Sequence, residues 1–159
     1  MRLLSAYILT IFMTSFVYAQ EAKVSVKLSP AGSFTGKTNQ VKGVVQKSGD
    51  GFSAQNIIVS LKSLKTGIEL RDQHTLKHLE VEKYPEAVLV KASGSGGKGT
   101  GIIRIKGIEK NISGTYAVSG QKIKAEFPLL LSDFKITGIK YMGVGVKDQV
   151  TVEIEIPVK

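Results

Sequence analysis

Apolar and polar side chains alternate along most of this chain. Val24, Val26 and Leu28 are separated by Ser25 and Lys27, and Ile57, Val59 and Leu61 by Ile58 and Ser60. Ile103 and Ile105 flank Arg104, and Val150, Val152, Ile154 and Ile156 are separated by Thr151, Glu153 and Glu155. A period of two puts successive side chains on opposite faces of a strand, one buried and one wet. Weaker forms of the pattern predict strands over residues 41–46, 87–92, 111–118 and 122–131. Turn-forming residues separate them at 48–51, 94–101, 119–120 and 147–148. About eight strands joined by short turns, without alternating helices, predict an all-β antiparallel barrel or sandwich.

Residues 64–84 break the alternation. Leu70, Leu76, Leu79 and Val81 keep no strict period, Asp72 is placed to cap a short helix starting near Gln73, and Tyr84-Pro85 would stop it. Such a helix is too short to be stable alone. It must lie on the β structure, most simply over one open end, and barrel mouths are places where ligands bind.

The amino terminus follows a different rule. Arg2 precedes an almost wholly apolar run from Leu3 to Val17, and Val17-Tyr18-Ala19 has the small-x-small form of a cleavage site. The run falls short of the roughly 20 residues that a membrane-spanning helix needs. Residues 1–19 are therefore expected to be a signal peptide and residues 20–159 one domain, periplasmic or secreted after cleavage. With no cysteine, neither a disulfide nor an acylated cysteine can hold the mature chain.

Charge narrows the partners. Loss of Arg2 lowers the net charge from +9 to +8, and every remaining basic residue except Arg71 and Arg104 is lysine. Nucleic-acid readers favour the bidentate fork of arginine and interleave aromatic residues for stacking, so no nucleic-acid partner is expected. A lysine coat instead suits solvation and transient contact with anionic membrane surfaces. The oligomeric state stays open between a monomer and a homodimer.

The candidate chemistry is sparse. His74 and His78 would share one helix face, but two imidazoles make a weak metal site without a third ligand such as Asp72 or Glu82. Gly94-Ser95-Gly96-Gly97-Lys98-Gly99 spells a dinucleotide fingerprint, yet a strand rather than a helix follows it, so it reads as a flexible hairpin tip. Arg71 and Asp72 could serve a site or could pin the insertion, with equal weight on each reading. No nucleophile elbow, HExxH motif or spaced triad is present.

Several blocks resemble the YceI-like family of exported lipid-binding proteins. They are Ser63-Leu64-Lys65-Thr66-Gly67, Leu70-Arg71-Asp72-Gln73-His74, Val81-Glu82-Lys83-Tyr84-Pro85, Ile105-Lys106-Gly107-Ile108-Glu109-Lys110 and Met142-Gly143-Val144-Gly145-Val146-Lys147-Asp148. The resemblance implies a lipocalin-like antiparallel β-barrel around a long apolar chain, with polyisoprenoids such as quinones or prenyl pyrophosphates as ligands. On that reading Phe34, Leu76, Leu89, Ile103, Phe127, Phe134 and Met142 are candidate lining residues, and Arg71, His74 and Lys140 are available to a polar head. The expected role is a non-catalytic carrier that sequesters an amphiphilic lipid, with no cofactor beyond that lipid and no metal. The competing readings are an isoprenoid-modifying enzyme using His74 and Asp72, and a metal or stress-response module using His74 and His78.

Overall fold

The computed structural model describes residues 19–159, so the segment expected to direct export lies outside the described residues except for Ala19. The strands are β1 (Glu21–Ser29), β2 (Ser33–Thr38), β3 (Val41–Lys42), β4 (Val45–Ser48), β5 (Gly51–Ser60), β6 (Glu86–Ser95), β7 (Lys98–Ile105), β8 (Ile108–Ser119), β9 (Lys122–Leu130), β10 (Lys140–Tyr141) and β11 (Val144–Pro157). Among the described residues one helix, α1 (Glu69–His78), joins β5 to β6, and a 3₁₀ turn (Leu131–Phe134) follows β9.

All the strands join one sheet in the order β2-β1-β11-β9-β8-β7-β6-β5-β3, with β4 on β5 and β10 on β11. Every strand-to-strand ladder is antiparallel. The segment from β2 to β4 pairs with β1 at its start and with β5 at its end, which curls the sheet into a nearly closed barrel. The seam is stitched by paired backbone bonds between Lys37 and Lys65, and by the Lys159 amide donating to the Val45 carbonyl at 2.8 Å. Near-closure leaves little of the free edge that an open sheet would present to other chains.

The alternating positions supply the interior. Val26, Ile103, Ile105, Ile123, Phe127, Leu129, Val150, Ile154 and Ile156 all fall in one buried cluster. Because hairpins connect the strands, the barrel has two distinct ends. At one lie the 61–85 insertion carrying α1 and the 3₁₀ turn; at the other lie the short β4–β5, β6–β7 and β8–β9 turns.

Local details depart from the sequence expectation. Residues 41–46 are two strands rather than one, interrupted at Gly43, where φ is 128° and a Cβ would press on Ile57. The turn expected over 94–101 shrinks to Gly96-Gly97, both at positive φ, as a two-residue hairpin requires. No turn occurs at Lys147-Asp148; β11 runs through, and the Asp148 carboxylate accepts hydrogen bonds from the Ser132 amide and hydroxyl, each at 2.7 Å. Helix α1 starts four residues before the expected Gln73 and ends at His78. Asp72 is therefore inside the first turn and not a cap.

Candidate functional site

Below the β6–β7 hairpin, at the end away from α1, the barrel contains an apolar hollow of about 100 Å³. Its side-chain walls are Val45, Phe52, Ala54, Leu89, Ala92, Ile112, Tyr116, Ile123, Ala125, Phe127, Ile154 and Ile156. The hollow exists because of what its wall lacks. Phe52 pairs with Gly94, Gly94 with Gly99 and Gly99 with Gly114, so three glycines lie side by side on three adjacent strands. Ala54, Ala92 and Gly101 form the next row, again nearly without side chains. Small barrels are normally filled by inward side chains, and a run of glycine and alanine leaves that volume unfilled.

Glycine is also required by the backbone here. A Cβ on Gly114 would run into the Glu126 carbonyl oxygen, and one on Gly101 would lie 2.7 Å from the Lys91 carbonyl oxygen. Strand glycines of this kind mark close approach of a backbone or a ligand. The wall is braced at the hairpin by an edge-on contact between the Phe52 and Tyr116 rings, with centroids 5.7 Å apart.

The α1 end is built for anchoring. The buried Asp72 carboxylate accepts hydrogen bonds from the Thr66 amide and the Thr66 hydroxyl, both at 2.6 Å. Arg71 donates from Nε to the Thr66 hydroxyl oxygen at 2.9 Å and from Nη2 to the Thr66 carbonyl at 2.7 Å, while its guanidinium lies 4.3 Å from the centre of the Phe34 ring. The Thr66 hydroxyl bond, then the Thr66 amide, Lys65 and Arg71, hold the Asp72 carboxyl below its ordinary value of 3.8, against the opposing effect of burial. Thr38 and Ser63 share a hydroxyl–hydroxyl bond of 2.6 Å that ties the insertion to the barrel seam.

The ten candidate residues therefore divide. Leu89 and Phe127 line the hollow. Ile103 is buried in the core cluster next to Leu89, its partner across the β6–β7 ladder. Phe134, 1% exposed, fills the barrel at the α1 end. Phe34, Arg71 and Leu76 belong to the anchored insertion and its bed, His74 is exposed on α1, and Lys140 and Met142 lie in the β10–β11 hairpin, where Met142 is 85% exposed. Among the described residues no three His, Cys, Asp or Glu side chains gather where a metal could be held. The glycine row escaped the sequence reading, although the Gly96-Gly97 turn was a usable signal. A two-residue tip fixes the register that sets Gly94 against Gly99.

The family model described as the YceI-like domain matches residues 17–158. The chain belongs to the YceI-like family. Solved structures similar to this member include BcnA of Burkholderia cenocepacia, with 17% identity, a TM-score of 0.65 and coverage of 86% of this chain and 94% of that one. Another is a polyisoprenoid binding domain from Saccharophagus degradans implicated in plant cell wall breakdown, with 13% identity, a TM-score of 0.56 and coverage of 86% and 91%. At these identities the likeness establishes the barrel fold alone. Among curated proteins, none matches the chain. No helix among the described residues is long and apolar enough to cross a membrane.

Proposed function

We propose that this YceI-like protein is an exported, non-catalytic carrier that shelters an amphiphilic lipid, of the polyisoprenoid class, by its hydrocarbon tail. The observation that carries the reading is the apolar hollow beneath the glycine row. Each methylene taken out of water contributes about 0.8 kcal/mol, so a long tail offsets the cost of ordering it. The S. degradans domain, similar in fold, is described as polyisoprenoid binding. An isoprenoid quinone and a prenyl pyrophosphate both have the required tail. Export of residues 20–159 as one domain rests on the apolar 1–19 segment.

The geometry favours binding over turnover. Asp72 commits its carboxylate to Thr66 and Lys65 at the α1 end, remote from the hollow. The hollow itself is walled by hydrocarbon and backbone. The lysine coat suits transient contact with anionic membrane surfaces, where such a cargo would be collected or released. Native mass spectrometry of protein purified without detergent, followed by organic extraction, tests the reading. A bound lipid that leaves with the solvent is expected; repeated recovery of bare polypeptide from lipid-containing cells would overturn it.

A further inference from the structure

The hollow is smaller than the proposed cargo. About 100 Å³ is less than the roughly 150 Å³ of an engineered apolar cavity that takes up one benzene. A long chain therefore needs the hollow to widen, and the structure differs sharply in where it can give way. At the α1 end, Phe134 and Ile57 are fully buried and the insertion is tied by Arg71, Asp72 and Thr66.

At the other end the barrel wall is thin. A second concavity of about 900 Å³, open to solvent, lies against the same stretch of β5–β8. Phe52, Gly94, Gly99 and Gly114 border both spaces, so along the glycine row only backbone separates them. The row outside it, Ser53-Ser93-Thr100-Ser113, is in register across the four strands, and among the described residues no hydrogen bond or ion pair holds those hydroxyl side chains. On its inner face the wall is held by apolar packing of Phe52, Leu89, Ala92, Ile112 and Tyr116, including the Phe52–Tyr116 ring contact, and the Arg104–Glu109 pair that joins β7 to β8 lies toward the other end of those strands.

From this we infer that the β6–β7 hairpin is the gate of the lipid site: the tail passes at the Gly94-Gly99-Gly114 row, and outward movement of the hairpin merges the hollow with the outer groove. Glycine suits both the passage and the movement, since it takes up little space and tolerates wide changes of φ and ψ. The inference rests on the lipid-carrier reading and adds the route of access.

The cysteine-free chain allows a clean test. Directly opposed residues of an antiparallel pair have Cα atoms about 4.5–5.5 Å apart, within disulfide range. Ser53→Cys with Ser93→Cys locks β6 to β5, and Thr100→Cys with Ser113→Cys locks β7 to β8. A control lock, Thr38→Cys with Ser63→Cys, fastens the α1 end instead. Uptake of a long-chain polyprenyl alcohol from mixed micelles is followed by native mass spectrometry, oxidised and after reduction, with circular dichroism confirming each fold.

The expected result is that the four-cysteine hairpin lock slows uptake by about tenfold or more, a barrier increase of at least about 1.4 kcal/mol, with recovery on reduction and no effect of the control lock. Equal uptake by oxidised and reduced hairpin variants overturns the gate while leaving the carrier reading intact. A block produced only by the control lock moves the access route to the α1 end and likewise overturns it. Absence of uptake by the unmodified protein overturns the carrier reading, and the gate with it.

Discussion

The two ends of this barrel share strands but differ in what those strands point inward. At the α1 end Ile57, Ile103, Ile105 and Leu129 point inward beside Phe134 of the 3₁₀ turn, and all five are buried. At the hairpin end the same strands carry Ala54, Ala92, Gly94, Gly99, Gly101 and Gly114, and a hollow remains. The transition falls where β5 and β6 are irregular: Asn56 adopts φ of 51°, and the β6–β7 register shifts between Leu89 and Lys91. Such irregularities bend a strand and reset which residues face in. The barrel thus has a filled end and a thin-walled container, set by residue size and by where its strands change the residues they turn inward.

The sharpest break of this contrast is Phe134→Ala. It removes the largest fully buried side chain from the filled end, and chemical denaturation should show a loss of about 3–5 kcal/mol, with lipid binding by the surviving folded protein retained. A matched pair of enlargements sharpens it further. Ala87→Leu, in the filled half, should cost about 1–3 kcal/mol by overpacking. Ala92→Leu, which grows into the hollow, should leave the melting temperature nearly unchanged and abolish lipid uptake. Equal destabilisation by the two would remove the distinction between the halves.

Asp72→Asn probes the anchor at the filled end. It weakens a charge-assisted acceptor of two Thr66 bonds, and a loss of about 1–3 kcal/mol is expected in denaturant titration at neutral pH. Because the folded carboxyl titrates below its unfolded value of 3.8, its stabilisation is complete above that pH and disappears as pH falls through the lower, folded value. The acid limb of the stability profile should flatten in the variant. The smallest effect is predicted for the surface pair of Lys124 and Glu153, 2.7 Å apart across β9 and β11. Glu153→Gln should change stability by less than about 1 kcal/mol and remove part of its salt dependence.

Strands with a clean period of two were legible in the sequence because one face of each meets the core. Strand β2 was not: Ser33-Phe34-Thr35-Gly36-Lys37-Thr38 has one large apolar residue and pairs by its backbone at the seam. The family blocks correctly pointed to the fold, and the insertion was recognised as a separate element. Its helix boundaries were misread because Asp72, which has the residue type of a cap, faces back to Thr66 instead of serving the α1 amides. The hollow was illegible for a deeper reason. Gly94, Gly99 and Gly114 look like turn punctuation one at a time, and become a wall only when the pairing of three strands is known. A local reading also ranked large apolar residues as lining, whereas an empty space is defined by small ones.

The backbone clash at Gly114 has an evolutionary consequence. Even alanine there would force β8 and β9 apart, so this position can hardly drift without damage to the sheet. Ala54, Ala92 and Ala125 face the same space and can gain or lose methyl groups one at a time. Related barrels should accordingly diversify their choice of guest through the alanines, while Gly94, Gly101 and Gly114 stay fixed by the chain's own geometry.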